Sequence, residues 1–77
     1  MIKNVKEAYE ISKKIRNYKK YDVAYCREDD VSYFFTYQIP GLPVLRIYKE
    51  SGNYEKICFN QKYECTHERE VPLSELK

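Results

Sequence analysis

The chain has 77 residues, 14 Lys and Arg against 12 Asp and Glu, and a net charge of +2, which leaves room for one small domain, residues 1–77, and no second. Glycine occurs only at positions 41 and 52, which excludes a glycine-rich phosphate loop or a dinucleotide-binding fingerprint. No stretch approaches the ~18 consecutive apolar residues of a membrane span, and the charged N-terminus does not resemble a signal peptide, so we expect a soluble cytoplasmic protein without a membrane partner.

Residues 4–19 have the periodicity of one amphipathic helix. Apolar residues recur at steps of three and four, which places them on one stripe: Val5, Ala8, Ile11, Ile15 and Tyr18. Asn4 is a suitable N-cap, and Glu7 follows it at the spacing of a capping box. Basic residues crowd the end of the helix, where they complement its dipole: Lys13, Lys14, Arg16, Lys19 and Lys20.

From Tyr21 onward, apolar residues recur at every second position, which predicts β-strands. Four strands are predicted: residues 21–26, 31–39, 44–49 and 54–59. The acidic run 28–30 predicts a solvated turn, the prolines and glycine of 40–43 end the second strand, and 50–53 predict a hairpin turn.

Residues 61–70 are polar and fit either a twisted edge strand or an exposed loop. Residues 71–76 predict a short extended piece or a single turn. The fold predicted from these elements is α+β, with an N-terminal amphipathic helix packed on one face of a four- or five-stranded antiparallel meander. The predicted core draws on both the helix and the strands: Val5, Ala8, Ile11, Ile15, Val23, Tyr25, Val31, Tyr33, Phe35, Leu45, Ile47, Ile57 and Phe59.

A single helix covers only one face of a sheet, so the opposite face is a candidate working surface. The residues assigned to it combine aromatic rings with cations, a composition enriched at protein interfaces: Phe34, Arg46, Tyr48, Tyr54 and Lys56. We predict that these five residues bind another protein. One alternative is that the C-terminal segment folds back and covers this face, and another is that the face joins two copies of the chain in a homodimer.

Single-stranded nucleic acid is the alternative class of partner and ranks below protein. Sheet aromatics would stack on its unpaired bases, and its phosphates would contact the basic end of the helix. The basic residues there are Lys13, Lys14, Arg16, Lys19 and Lys20. Against this, the helix dipole already accounts for the basic cluster, and no motif typical of RNA-binding sheets is present.

Catalytic and metal-binding motifs are not evident in this sequence. The single histidine, His67, has Cys65 nearby but no glycine loop that would supply oxyanion donors. The spacing of Cys58, Cys65, His67 and Glu70 departs from that of structural zinc sites, and three cysteines do not make a disulfide framework. We therefore expect a non-enzymatic protein with reduced thiols and with no cofactor or metal.

The order of elements and the stretch 40–52, PGLPVLRIYKESG, resemble small PepSY-like domains and the similar immunity proteins of bacterial polymorphic-toxin systems. Those domains begin with a helix that carries small residues, and Ala8 is such a residue in the helix predicted here. Later in those domains a strand runs into a turn, and Ser51 and Gly52 occupy that turn in this chain. The resemblance implies a non-enzymatic module of bacterial or mobile-element origin that binds or inhibits another protein. It supplies no catalytic residues.

Overall fold

Residues 1–58 and 60–77 are described by the computed structural model. Within them the chain forms one α-helix, α1 (Val5–Ser12), five strands, β1 (Val23–Glu28), β2 (Ser32–Tyr37), β3 (Val44–Tyr48), β4 (Tyr54–Ile57) and β5 (Arg69–Val71), and a 3₁₀ helix at Leu73–Leu76. The strands make one antiparallel sheet in the order β4-β3-β2-β1-β5. Because α1 shares a core with one face of this sheet, the predicted α+β fold is confirmed.

Strands β1 to β4 form the predicted meander, whereas β5 pairs with β1 at the opposite edge from β4. To reach that edge, the chain after β4 crosses the face of the sheet that is turned away from α1. We call residues 61–68 the crossing segment. The ring centroid of Tyr63 in this segment lies 5.4 Å from that of Phe34 in β2. The polar stretch 61–70 is therefore a crossing loop whose last residues begin the edge strand β5.

Helix α1 ends at Ser12, so the single helix predicted for residues 4–19 was wrong in its second half. The hydroxyl of Ser12 donates to the carbonyl of Tyr9 at 2.6 Å, an interaction that competes with helical hydrogen bonding. The chain continues in turns, and Asn17 adopts a left-handed conformation with φ 77°, which a helix does not accommodate. The predicted apolar stripe still reaches the core through two buried residues beyond the helix, Ile15 and Tyr18.

The core lies between one face of the sheet and the N-terminal segment, and the C-terminal turn closes it: Ile2, Val5, Ala8, Ile15, Tyr18, Val23, Cys26, Tyr33, Phe35, Tyr37, Leu45, Ile47, Val71 and Leu76. Two predicted core residues, Tyr25 and Val31, are exposed instead. The register of β1 shifts between Val23 and Tyr25, and this bulge turns Cys26 rather than Tyr25 toward α1. Val31 precedes β2 and lies outside the paired strand.

Three other predicted core residues have different positions. Ile11 is half-buried at the border of the core. Ile57 is buried, but it lies opposite Val44 on the face away from α1. Phe59, at the predicted end of the fourth strand, lies outside the described residues.

Candidate binding groove beside strand β4

The five residues predicted to form one protein-binding surface are divided between the two faces of the sheet. Tyr54 and Lys56 face α1, because they lie opposite the core residues Ile47 and Leu45. The prediction of a common face was therefore wrong for these two residues. The physical reason is the register set by the turn 49–52, since a shift of one position moves every side chain of a strand to the other face.

Phe34, Arg46 and Tyr48 share the face away from α1, but the crossing segment covers much of it. Phe34 is 0% exposed, and its ring lies against that of Tyr63. The guanidinium carbon of Arg46 lies 4.9 Å from the ring centroids of both Phe34 and Tyr48, and the hydroxyl of Tyr48 lies 3.1 Å from Oε1 of Glu55. This face is covered, as in the alternative of a chain that folds back over it, but the covering residues belong to the stretch 61–70, since Val71 and Leu76 lie in the core on the α1 side. Phe34 therefore presents no surface to a partner.

The carboxylate of Asp29 organises this covered face. Asp29 belongs to the run predicted as a solvated turn, yet it is only 1% exposed, so that prediction was wrong for this residue. Its Oδ1 accepts hydrogen bonds from the N–H of Val31 at 3.0 Å and from the N–H and hydroxyl of Ser32 at 2.8 Å each. Its Oδ2 accepts from Nη2 of Arg46 at 3.4 Å and from the N–H of Thr66 at 3.3 Å. One side chain thus joins the β1–β2 turn, β3 and the crossing segment.

Hydrogen bonding also determines the ionisation of Asp29. Burial raises the pKa of this carboxyl, but hydrogen bonds from the Ser32 hydroxyl and from the N–H groups of Val31, Thr66 and Ser32 outweigh that effect, and the pKa is lowered overall. Asp29 therefore stays charged at neutral pH, as its pairing with Arg46 requires. Sequence reasoning missed this role because nothing in the run 28–30 marks which acid is buried.

Three further contacts hold the crossing segment near β1 and the turn that follows it. Arg27 pairs with Glu68, and its Nη2 donates to the hydroxyl of Tyr63 at 2.8 Å. Nδ1 of His67 lies 2.6 Å from Oδ2 of Asp30, and the hydrogen bond from this ring lowers the pKa of Asp30. The histidine of this chain is thus an exposed partner of a surface carboxylate.

A groove of about 620 Å³ lies between the N-terminal segment and the β3–β4 turn. Its apolar lining comes from Ile11, Ile15 and Tyr54, and its cations are Lys14 and Arg16. Tyr54 is 48% exposed. Among residues 1–58 and 60–77, no carboxylate forms an ion pair with either cation. The groove therefore presents an exposed ring together with two cations that have no carboxylate partner in this part of the chain.

The groove uses only part of the basic set predicted to contact nucleic acid. Nζ of Lys13 lies 3.4 Å from Oε1 of Glu10 and over the ring of Tyr9, so its charge is already partly engaged. Lys14 and Arg16 line the groove. The remaining two residues of the set are exposed beyond it: Lys19 and Lys20.

The tertiary structure brings residues of both predicted sites to one side of the sheet. Tyr54 lines the groove, and Nζ of Lys56 lies 5.7 Å from the ring centroid of the buried Tyr18 on the same face. Cδ1 of Ile11 comes within 3.7 Å of where a side chain at Gly52 would begin, so one wall is the end of α1 with the turns that follow it, and the other is the β3–β4 turn. No local pattern predicts this juxtaposition, because it depends on strand register and on the bend after Ser12.

The three thiols lie in different environments. Cys26 is in the core, where burial raises its pKa to about 12. Burial, followed by the charge of Glu68, raises the pKa of the half-buried Cys65, and Cys58 is exposed. In the described part of the chain, no three His, Cys, Asp or Glu side chains are grouped as metal ligands. The helices found there are too short or too polar to cross a membrane.

Comparison with known proteins found no matching family model, no matching curated protein and no matching solved structure. The resemblance to PepSY-like and immunity-type domains therefore stays a prediction, and the function is argued from geometry.

Proposed function

We propose that this chain is a non-enzymatic binding module that recognises another protein through the groove beside β4. One observation carries the proposal: the exposed ring of Tyr54 adjoins the apolar side chains of Ile11 and Ile15, with Lys14 and Arg16 in the same groove. Tyrosine and arginine are enriched at the centres of protein interfaces, where recessed sites allow contacts to be desolvated.

The charges of the groove favour an acidic partner. Lys14 and Arg16 line it, and Lys56 adds a third cation on the same face of the sheet. Complementary charge accelerates encounter and disfavours partners of the wrong sign. The partner we propose presents Asp or Glu carboxylates together with an apolar side chain that packs on Tyr54. By occupying a surface of its partner in this way, the module would act as an inhibitor, immunity factor or regulator. The sequence resemblance implies the first part of this range, a module that binds or inhibits another protein.

Single-stranded nucleic acid is the competing partner, because phosphates would also neutralise these cations. Binding of successive bases uses a series of exposed rings. The groove offers one such ring, Tyr54. The exposed ring of Tyr25 lies on the other face of the sheet, away from the groove, and three further sheet aromatics are buried: Tyr33, Phe34 and Tyr37. The distribution of rings therefore favours a protein.

Affinity capture with a charge-reversed groove tests this proposal. The immobilised chain is exposed to nuclease-treated extract of the cells that produce it, beside the double variant Lys14→Glu/Arg16→Glu and the matched control Lys3→Glu/Lys6→Glu. Residues 3 and 6 are also exposed lysines but do not line the groove. Thermal unfolding of all three chains checks that each is folded.

We expect the wild type and the control to retain the same protein, and the groove variant to lose it with a ~10-fold or greater fall in affinity, because like charges brought together at an interface cost several kcal/mol. Equal capture by all three chains would contradict the proposal. So would a partner that is retained only when nuclease is omitted.

A further inference from the structure

The edge of β4 beside the groove has backbone groups directed away from the sheet. The N–H of Tyr48 donates to the carbonyl of Asn53 at 2.9 Å, which makes these two residues a hydrogen-bonded pair of the β3–β4 hairpin. In an antiparallel ladder, hydrogen-bonded and non-hydrogen-bonded pairs alternate. The pairs Ile47 with Tyr54 and Leu45 with Lys56 are therefore of the second kind, so the N–H and C=O groups of Tyr54 and Lys56 point outward.

The chain itself supplies hydrogen-bond partners to the outward-directed backbone groups of Cys58, but not to those of Tyr54 and Lys56. The N–H of Gln61 donates to the carbonyl of Cys58 at 2.9 Å, and Oε1 of Gln61 accepts from the N–H of Cys58 at 3.3 Å. No hydrogen bond from residues 1–58 or 60–77 reaches the backbone groups of Tyr54 or Lys56. The edge is thus closed at Cys58 and open over residues 54–56, next to the groove that Tyr54 lines.

We infer that the partner supplies an extended acidic segment that pairs with β4 as a sixth strand of the sheet. Backbone hydrogen bonds to Tyr54 and Lys56 would provide affinity, and alternate side chains of the added strand would provide specificity. On the α1 side these side chains meet Lys56 and the groove cations Lys14 and Arg16, so acidic residues are favoured at every second position. The inference rests on the proposed function, and it adds the conformation and the charge pattern of the ligand.

A second copy of this chain fits the same edge less well. Two antiparallel β4 strands that pair through residues 54–56 about a two-fold axis place Glu55 opposite Glu55. Like charges directly opposite destabilise strand pairing. The other edge of the sheet offers only the three residues of β5, followed by Pro72, and proline has no N–H to donate.

The test uses a fluorescein-labelled peptide of alternating Glu and Thr as the probe, and the amides of the full chain are followed by NMR. Three comparison peptides are used: Lys in place of Glu, N-methylation of the Thr amides, and N-methylation of the Glu amides. Whichever set of amides faces β4, one N-methylated peptide lacks the donors that pair with it while keeping every charge. The variant Lys56→Glu keeps the backbone groups and reverses the charge, with Lys6→Glu as its control.

We expect the Glu-Thr peptide to bind, and hydrogen exchange at the amides of Tyr54 and Lys56 to slow ~10-fold or more in the complex. We expect one of the two N-methylated peptides, the Lys peptide and Lys56→Glu each to weaken binding about tenfold or more. Full-strength binding of both N-methylated peptides without amide protection would overturn strand pairing and leave the groove proposal standing.

Other outcomes would overturn the inference for different reasons. If the Lys peptide bound as tightly as the Glu-Thr peptide, the inferred preference for acidic side chains in the added strand would be wrong. No binding of the Glu-Thr peptide, by a chain that captures a protein through the groove, would show that the ligand is not an acidic strand. Protection of the Tyr54 and Lys56 amides that depends on protein concentration, without peptide, would assign the edge to a second copy.

Discussion

The guanidinium of Arg46 and the carboxylate of Asp29 lie 3.4 Å apart on the covered face of the sheet, where they are 8% and 1% exposed. Nε of Arg46 also donates to the hydroxyl of Ser32 at 2.9 Å, and that hydroxyl donates to Asp29. Buried charges are tolerated when they are paired and hydrogen-bonded. Removing one partner should therefore cost more than removing an exposed charge of the same type.

Replacing the buried carboxylate should strongly destabilise the fold. We expect Asp29→Asn to lower the free energy of unfolding by about 3 kcal/mol, because it leaves Arg46 without its buried counter-charge. It also replaces one accepting oxygen by an NH2 group, which cannot accept the hydrogen bonds that this oxygen receives. Urea unfolding followed by circular dichroism measures the change. The control Asp22→Asn removes an exposed carboxylate and should stay within about 0.5 kcal/mol of the wild type. Equal stability of the two variants would show that the Asp29 network contributes little.

Stability should fall in acid partly through the same residue. The pKa of Asp29 is lowered in the folded chain, whereas an aspartate in the unfolded chain titrates near ~3.9. The stabilisation is therefore present above the unfolded pKa and is lost as the pH falls through the folded pKa. Between pH 7 and pH 3, we expect the wild type to lose more stability than Asp29→Asn does, as measured by urea unfolding at both pH values. Parallel losses in the two chains would contradict this assignment.

The ring of Tyr63 should be a main anchor of the crossing segment. Tyr63→Phe keeps the contact with Phe34 but loses the hydrogen bond from Arg27, and we expect a loss of about 1 kcal/mol. Tyr63→Ala also uncovers Phe34, so we expect a total loss of about 2 to 3 kcal/mol and increased fluorescence of an apolar dye such as anilinonaphthalene sulfonate. If Tyr63→Ala matched Tyr63→Phe in both measurements, the segment would not depend on this ring.

The thiols should react in the order of their exposure. With iodoacetamide at pH 8, we expect Cys58 to be alkylated first, Cys65 more slowly and Cys26 last, because Cys26 is buried and burial raises its pKa to about 12. Mass spectrometry of peptides sampled over time gives the three rates, and urea should bring Cys26 to the rate of the others. Labelling of Cys26 as fast as Cys58 in the native chain would contradict the core assignment.

Several elements could be predicted from local pattern because their causes are local. The side chain of Asn4 accepts from the N–H of Glu7 at 3.0 Å, as a capping sequence predicts. The predicted core residue Ile15 and its stripe neighbour Tyr18 are both buried even though α1 ends before them. The turns that follow α1 keep a helix-like spacing, because the N–H of Ile15 donates to the carbonyl of Ser12 at 3.2 Å and the N–H of Tyr18 to the carbonyl of Ile15 at 3.1 Å. Alternation likewise predicted β1 to β4, because one face of each strand has to be apolar to form a core.

The candidate site could not be predicted in the same way. One inserted residue in β1 exchanged the faces of Tyr25 and Cys26, and the register of β4 moved Tyr54 and Lys56 to the α1 side. Such shifts cost little locally but reverse every side chain that follows. The burial of Phe34 depends on Tyr63, which is distant in sequence and joins it only because the chain crosses to the far edge of the sheet.

The amino-acid pattern thus determined the helix start, four of the strands and most of the core, since spacing and capping act over a few residues. Only the tertiary structure decided which face each strand presents, which acid is buried, and which cations meet Tyr54 in the groove. These features depend on pairing between residues that are distant in the sequence. The free energy gained by pairing all five strands and covering the second face of the sheet selects among registers that are locally equivalent.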